Sequence, residues 1–461
     1  MVNALRRLAI LAAGLAAFAT PVRAAPTAPA TAGAPRASTP AEQARFLAGL
    51  DVPADSPLAA LAARPEWKEH VAELQKDWTT LGARLDKEGE WQATELAPRI
   101  KKDAKVIYLF GGPDAANVVR LFPDAPAYLL AGLEPVGSLQ PPETMKPEEV
   151  HAALDALSFA LRTTIPSSFF RTSEMGKDLQ GHGIRGVLPV LYLFLARSGA
   201  EVLDARRFEV DAAGVAHDRG PADAYGAGVP GVRVTFRFPG RAPQELSYVR
   251  IDLGDEALAR TPGFFTWLDG WGPVNGFLKA ASFILHDNHF SKPRAYLLRR
   301  CAAILQEDSG IPFNRFGKAW DFTCFGKYST PRKPFQRAYQ ADLDKACAEQ
   351  PARPLPFVIG YRHLEDSNLL LAVKRPGAPA ADALAAAGPA RPAAAAKKKA
   401  AGAEEKAAAQ AAKPAEEKAA APAEPSAPAA TPEPPAAQPT APEPKAEPAL
   451  APAAAPEPPG K

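Results

Sequence analysis

Of the 37 aromatic residues in this 461-residue chain, 36 fall between residues 41 and 375, and the other, Phe18, sits in an N-terminal apolar run. A segment without large apolar side chains cannot bury enough surface to offset its chain entropy. The aromatic distribution therefore confines the folded body to residues 41–375. Residues 376–461 contain 37 alanines, 19 prolines and no aromatic residue. That composition predicts a disordered tail, extended and polyproline-like beyond Pro422. Its 9 basic and 10 acidic residues nearly cancel, so it is not a basic arm. The tail also accounts for much of the high proline count. Of 50 prolines, 31 precede residue 376, few enough to serve as turn punctuation in a globular fold.

The first residues read as an export signal. Arg6 and Arg7 form a charged start, and residues 8–19 are an uninterrupted apolar run. That run is shorter than the ~20 residues a membrane-spanning helix needs. Small residues around Ala24 place a cleavage site after it. Residues 1–24 are thus expected to be a signal peptide, 25–40 a linker, and 41–100 a helical lead-in to the folded domain. The expected location is periplasmic or secreted. An oxidising compartment permits disulfides. With Cys301, Cys324 and Cys347 as the only cysteines, one disulfide and one buried free thiol are expected.

Net charge and periodicity bound the class further. The formal net charge is +3, which argues against a dedicated nucleic-acid binder. Trp67, Val71, Leu74, Trp78, Leu81 and Leu85 repeat at steps of four and three, a helical seam over 64–90. Residues 105–110 and 127–133 are apolar runs of buried-strand length, separated by a turn and a short helix over 115–122. Helices are expected over 148–162, 186–198, 274–282, 292–306 and 335–348. Strands are expected over 201–210, 231–238, 246–253, 283–286 and 322–328. Runs 355–362 and 369–374 read as a closing hairpin. The fold class is α/β: a mixed, partly parallel sheet flanked by helices.

The turn after the first strand, Gly111-Gly112-Pro113-Asp114, followed by Glu134, imitates a nucleotide fingerprint. In dinucleotide and methyltransferase folds glycine lets the backbone approach the ligand, and an acid after the second strand holds a ribose. Glu134 lies 22 residues after Gly112. Two departures argue against a cofactor. There is no second spaced glycine, and Pro113 removes a donor where a phosphate wants an N–H. An exported protein also lacks intracellular cofactors, so none is expected. The geometry still puts Asp114 and Glu134 at strand carboxyl ends, where open α/β sheets bind ligands. Asp114, Glu134 and His182 are the candidate catalytic residues; Gly111, Gly112, Arg171 and Arg185 are the candidate ligand-binding residues. His182, flanked by Gly181 and Gly183, suits a ligand-facing loop, with Arg171 and Arg185 as an anion clamp. The plainer alternatives are that Asp114 caps a helix, that Glu134 pairs with an arginine, and that the polar loop is only solvated. His286 and His289 are read as strand and loop, facing apart, so no metal site is expected. No serine occupies a Gly-x-Ser-x-Gly frame, and Asp308-Ser309-Gly310 reads as a helix stop.

The segments Leu109-Phe110-Gly111-Gly112-Pro113-Asp114, Leu121-Phe122-Pro123-Asp124-Ala125, Leu130-Ala131-Gly132-Leu133-Glu134-Pro135 and Ile304 to Pro312, in this order, resemble a set of uncharacterised exported bacterial proteins. The resemblance implies an exported globular protein and carries no catalytic residue with it. Three functions are consistent with these observations. The preferred one is binding of a small molecule or cell-envelope component. The second is hydrolysis by carboxylates at the sheet's carboxyl edge, and the third is a structural partner role for the tail.

Overall fold

A computed structural model of the chain describes residues 36–164, 183–221, 223–331, 333–362 and 364–377, all within one compact unit. The expected signal, most of the linker and nearly all of the expected tail lie outside the described residues. Among the described residues no helix is long and apolar enough to cross a membrane.

The helices are α1 (Pro40–Leu47), α2 (Ala59–Ala62), α3 (Pro65–Trp91), α4 (Ala115–Leu121), α5 (Pro147–Thr164), α6 (Val187–Arg197), α7 (Asp255–Arg260), α8 (Gly263–Asp269), α9 (Ser291–Arg300) and α10 (Ala341–Ala348). The strands are β1 (Lys105–Tyr108), β2 (Ala127–Gly132), β3 (Ser138–Leu139), β4 (Ile184–Arg185), β5 (Glu201–Val210), β6 (Ala216–Arg219), β7 (Val229–Arg237), β8 (Gln244–Arg250), β9 (Val274–Leu278), β10 (Cys301–Gln306), β11 (Trp320–Gly326) and β12 (Asn368–Lys374). Ten of the strands form one sheet, in the order β11-β12-β10-β9-β1-β2-β8-β7-β5-β6. The middle five, β10, β9, β1, β2 and β8, are mutually parallel. The strands on either side of them run antiparallel to their neighbours.

Read from β8 to β10, the parallel core has its strands in the chain order third, second, first, fourth, fifth. That is the doubly wound order, in which the chain leaves β1 in one direction and later returns to its other side. Both faces of the core are covered. Val106, Tyr108, Tyr128 and Leu130 point into one apolar cluster with Leu81 and Leu85 of α3, Val118 of α4 and Leu193 of α6. The alternate residues Ile107, Leu129 and Ala131 point into a second cluster with Leu258 of α7, Phe264 of α8 and Leu297 of α9. Burial on both faces is why β1 and β2 read as unbroken apolar runs rather than alternating ones. The seam of α3 packs on the body of the domain, with Leu74, Leu81 and Leu85 buried.

Five expected elements are corrected. Residues 274–278 of the expected 274–282 helix are strand β9, and the expected strand 283–286 is instead part of a 3-10 turn, Ala280–His286. The expected helix over 292–306 is α9 followed at once by β10, so Asp308-Ser309-Gly310 ends a strand and not a helix. The 335–348 helix divides into a 3-10 turn, Lys333–Ala338, and α10. Run 355–362 forms no strand: β12 pairs instead with β10 and β11. Cys324 of β11 and Cys347 of α10 form a disulfide, and Cys301 is free and buried, the pattern that three cysteines predicted.

Candidate functional site

The doubly wound order leaves a crevice between β1 and β9, because the chain departs from these neighbours toward opposite sides of the sheet. A cavity of about 160 Å³ opens there. It is lined by residues just past the carboxyl ends of four parallel strands: Gly111 and Gly112 after β1, Glu134 after β2, Ile251 to Leu253 after β8, and Lys279 to Ala281 after β9.

The turn after β1 is built by unusual backbone. Phe110 and Ala280 are the two non-glycine residues with positive φ among the described residues, at 64° and 56°. Such conformations are costly for residues with a Cβ and concentrate at functional sites. Here both line one cavity. Gly112, with φ 54°, donates its N–H to the Ala131 carbonyl at 3.1 Å, tying the turn to β2. Gly132 allows the turn after β1 to approach closely, since a Cβ there would lie 3.0 Å from the Gly112 Cα.

Asp114 sits on the cavity floor, 2 % exposed. Its Oδ2 accepts from the Tyr108 hydroxyl at 2.9 Å and lies 2.8 Å from Lys279 Nζ. Its Oδ1 accepts from Asn117 Nδ2 at 2.7 Å and, at 3.4 Å, from the Asn117 N–H in the first turn of α4. The helix-cap expectation is met, with a buried ion pair added. Burial and the Asp114 charge push the Tyr108 phenol well above its usual range. Glu134, 4 % exposed, accepts from the Tyr248 hydroxyl at 3.0 Å. Burial and the Glu134 charge likewise raise the Tyr248 phenol.

Around this floor lie further buried acids. Glu88 of α3 is fully buried, 3.5 Å from Arg84 Nε. Burial lifts its carboxyl to about 7, opposed by the charges of Arg84 and Lys279. Glu307, after β10, accepts from Ser309 Oγ at 2.9 Å and from the N–H of Ala280. Burial and the neighbouring Asp308 raise its carboxyl. Asp308 in turn is held by Arg362 at 2.5 Å, both nearly inaccessible. Glu307 thus fixes the backbone of Ala280, and with it the direction of Lys279.

Of the residues singled out from sequence, Gly111, Gly112, Asp114 and Glu134 line the one cavity. Arg185 does not. It lies on the small β3–β4 ribbon, exposed, with Nε donating to Ser138 Oγ at 3.2 Å. Arg171 and His182 lie outside the described residues. The exposed His289 ring is bonded to Asp287 at 2.6 Å. Burial depresses the His286 imidazole to about 4. Among the described residues no group of three or more His, Cys, Asp or Glu is placed to hold a metal. Sequence reading missed Lys279, Tyr108, Tyr248 and the Ile251–Leu253 wall. Lys279 was hidden because Asn275-Gly276 disguises β9. The available signal was its place directly after the apolar pair Phe277-Leu278. Comparison with protein-family models, curated proteins and solved structures finds no match to this chain.

Proposed function

We propose that this protein is an exported α/β protein that binds a small, hydroxyl-bearing organic molecule in the cavity at the carboxyl edge of its parallel strands. The observation that carries this reading is the coincidence of a partly open, mostly apolar cavity with the switch point of a doubly wound sheet, the place where such sheets take ligands. Glu134 supplies an acceptor at the end of the second parallel strand, where acids in this architecture hold sugar hydroxyls. The disulfide supports export, because such bonds persist in oxidising compartments. The hydrolytic alternative loses its second acid. Both oxygens of Asp114 are engaged by Tyr108, Lys279 and Asn117, leaving that carboxylate a structural role.

The test is a thermal-shift screen of small molecules on the full chain. A ligand that binds only the native state at 100 times its Kd stabilises it by about 2.7 kcal/mol. Ala281 is exposed on the cavity mouth, so Ala281→Trp should occlude the cavity without entering the core. Hits that stabilise the parent chain and not the variant support the reading. Hits that stabilise both equally, or a screen with no hit, contradict it.

A further inference from the structure

The loop closed by the disulfide braces one wall of the cavity. Ala280, Ala281 and Ile284 of that wall belong to the 3-10 turn Ala280–His286. Ala280 is held there at φ 56°, a conformation that persists in a residue with a Cβ only where its surroundings enforce it. Two routes lead to this turn from the chain between Cys324 and Cys347. The first is apolar. Phe335, in the 3-10 turn Lys333–Ala338, stacks on Phe283 with ring centroids 4.2 Å apart and planes 8° apart. The second is polar. Glu307 accepts from the Ala280 N–H, and its neighbour Asp308 is gripped from the same loop. The Asp308 carbonyl accepts from Gln340 Nε2 at 3.2 Å. The Asp308 carboxylate pairs with Arg362, which also donates to the Ser329 carbonyl at 2.9 Å and the Thr330 carbonyl at 3.0 Å. Gln340 directly precedes α10, the helix that carries Cys347. Cys347 is only half-buried, which opens the bond to attack by a thiolate.

We infer that the Cys324–Cys347 bond is a redox switch for the cavity: oxidised, it holds the Ala280–His286 wall in place, and reduced, it releases the loop and lets that wall relax. The reductant is a dithiol. One of its thiolates attacks a sulfur of the bond, its second thiol resolves the mixed disulfide, and it leaves as a cyclic disulfide. Two electrons and two protons end on the Sγ atoms of Cys324 and Cys347. The effect on ligand affinity rests on the ligand-binding reading above; the order of the wall does not. Hydrogen–deuterium exchange of the native full chain, before and after dithiothreitol, tests the switch without a ligand, so its failure is distinct from failure of the binding reading. Reduction, read as two hydrogens gained in intact mass, should speed exchange over residues 280–287 by about tenfold or more, part of what a crosslink of this span contributes. Residues 246–253, which reach the same cavity from β8, should exchange at an unchanged rate. Phe335→Ala, with the disulfide intact, should speed exchange over 280–287 by itself. Reduction of that variant should add a smaller factor than in the parent, because one of the two routes is already cut. Exchange that rises only within 324–347, or equally over 246–253, overturns the inference. So does a reduction factor undiminished by Phe335→Ala, or a disulfide that dithiothreitol leaves intact.

Discussion

At the scale of single residues, the Asp114–Lys279 pair dominates the floor of the cavity. Both side chains are at most 3 % exposed, so neither charge has water to fall back on if the other is removed. Breaking such a pair from one side costs about 3–5 kcal/mol, because a buried charge is left uncompensated. Lys279→Met keeps the volume and removes the charge, and should lose stability in that range by urea unfolding. Adding Asp114→Asn to it should restore a large part, since the stranded charge is then gone. A loss below about 1 kcal/mol in the single variant, the range of solvent-exposed pairs, would mean that the pair is hydrated. Cys301 makes a second residue-scale prediction. Burial raises its thiol to about 12, so it should be inert to thiol reagents in the native protein. After denaturation without reductant one thiol per chain should react, and after reduction three.

At the scale of elements, the disulfide fixes α10 against the outer strand β11 across 23 residues of chain. By loop-closure entropy a crosslink of that span contributes about 3 kcal/mol. Reduction should lower the urea midpoint accordingly, and an unchanged midpoint would show that the segment holds without it. The same scale shows what was legible in the sequence. The β1–α4–β2 unit is read correctly because its strands are unbroken apolar runs with a glycine–proline turn between them. β9 is not, because Asn275-Gly276 interrupts it. Gly276 is there for packing: a Cβ would come within 3.2 Å of Cys301 Sγ and Ile304 Cγ1. β10 is hidden for another reason. α9 ends at Arg300 and β10 begins at Cys301, so no turn residue marks the change of period. Around 353–362 the backbone bonds go to other partners, with Arg353 C=O accepting from Gly326 and the Ile359 N–H donating to Ser367 Oγ, and the apolar pattern there reflects burial without a strand. The half of the site built on β1 and β2 was therefore visible, and the half built on β9 was not.

At the scale of the whole molecule, buried acids couple stability to pH. Glu88 titrates at about 7 when folded against 4.5 for the ordinary carboxyl. Between these values the folded state binds the extra proton, so the contribution of Glu88 to stability falls as pH rises from about 4.5 to 7. The total change is about 3 kcal/mol. Glu88→Gln should remove that slope, and parallel stability–pH curves for parent and variant would show that Glu88 ionises as freely when folded as when unfolded. His286 works in the opposite direction. Depressed to about 4 from 6.5, it costs stability as pH falls through that window. Apart from these groups, the molecule has a crevice where the sheet changes direction and the backbone holds Phe110 and Ala280 at positive φ. The most direct test of this account is a crystal structure of the full chain with its strongest thermal-shift ligand. The account predicts the ligand between the Gly111–Gly112 turn and the Ile251–Leu253 wall, with a donor on Glu134. A ligand seated elsewhere, such as the groove beside Arg120 and Arg241, with the crevice unchanged, would contradict it.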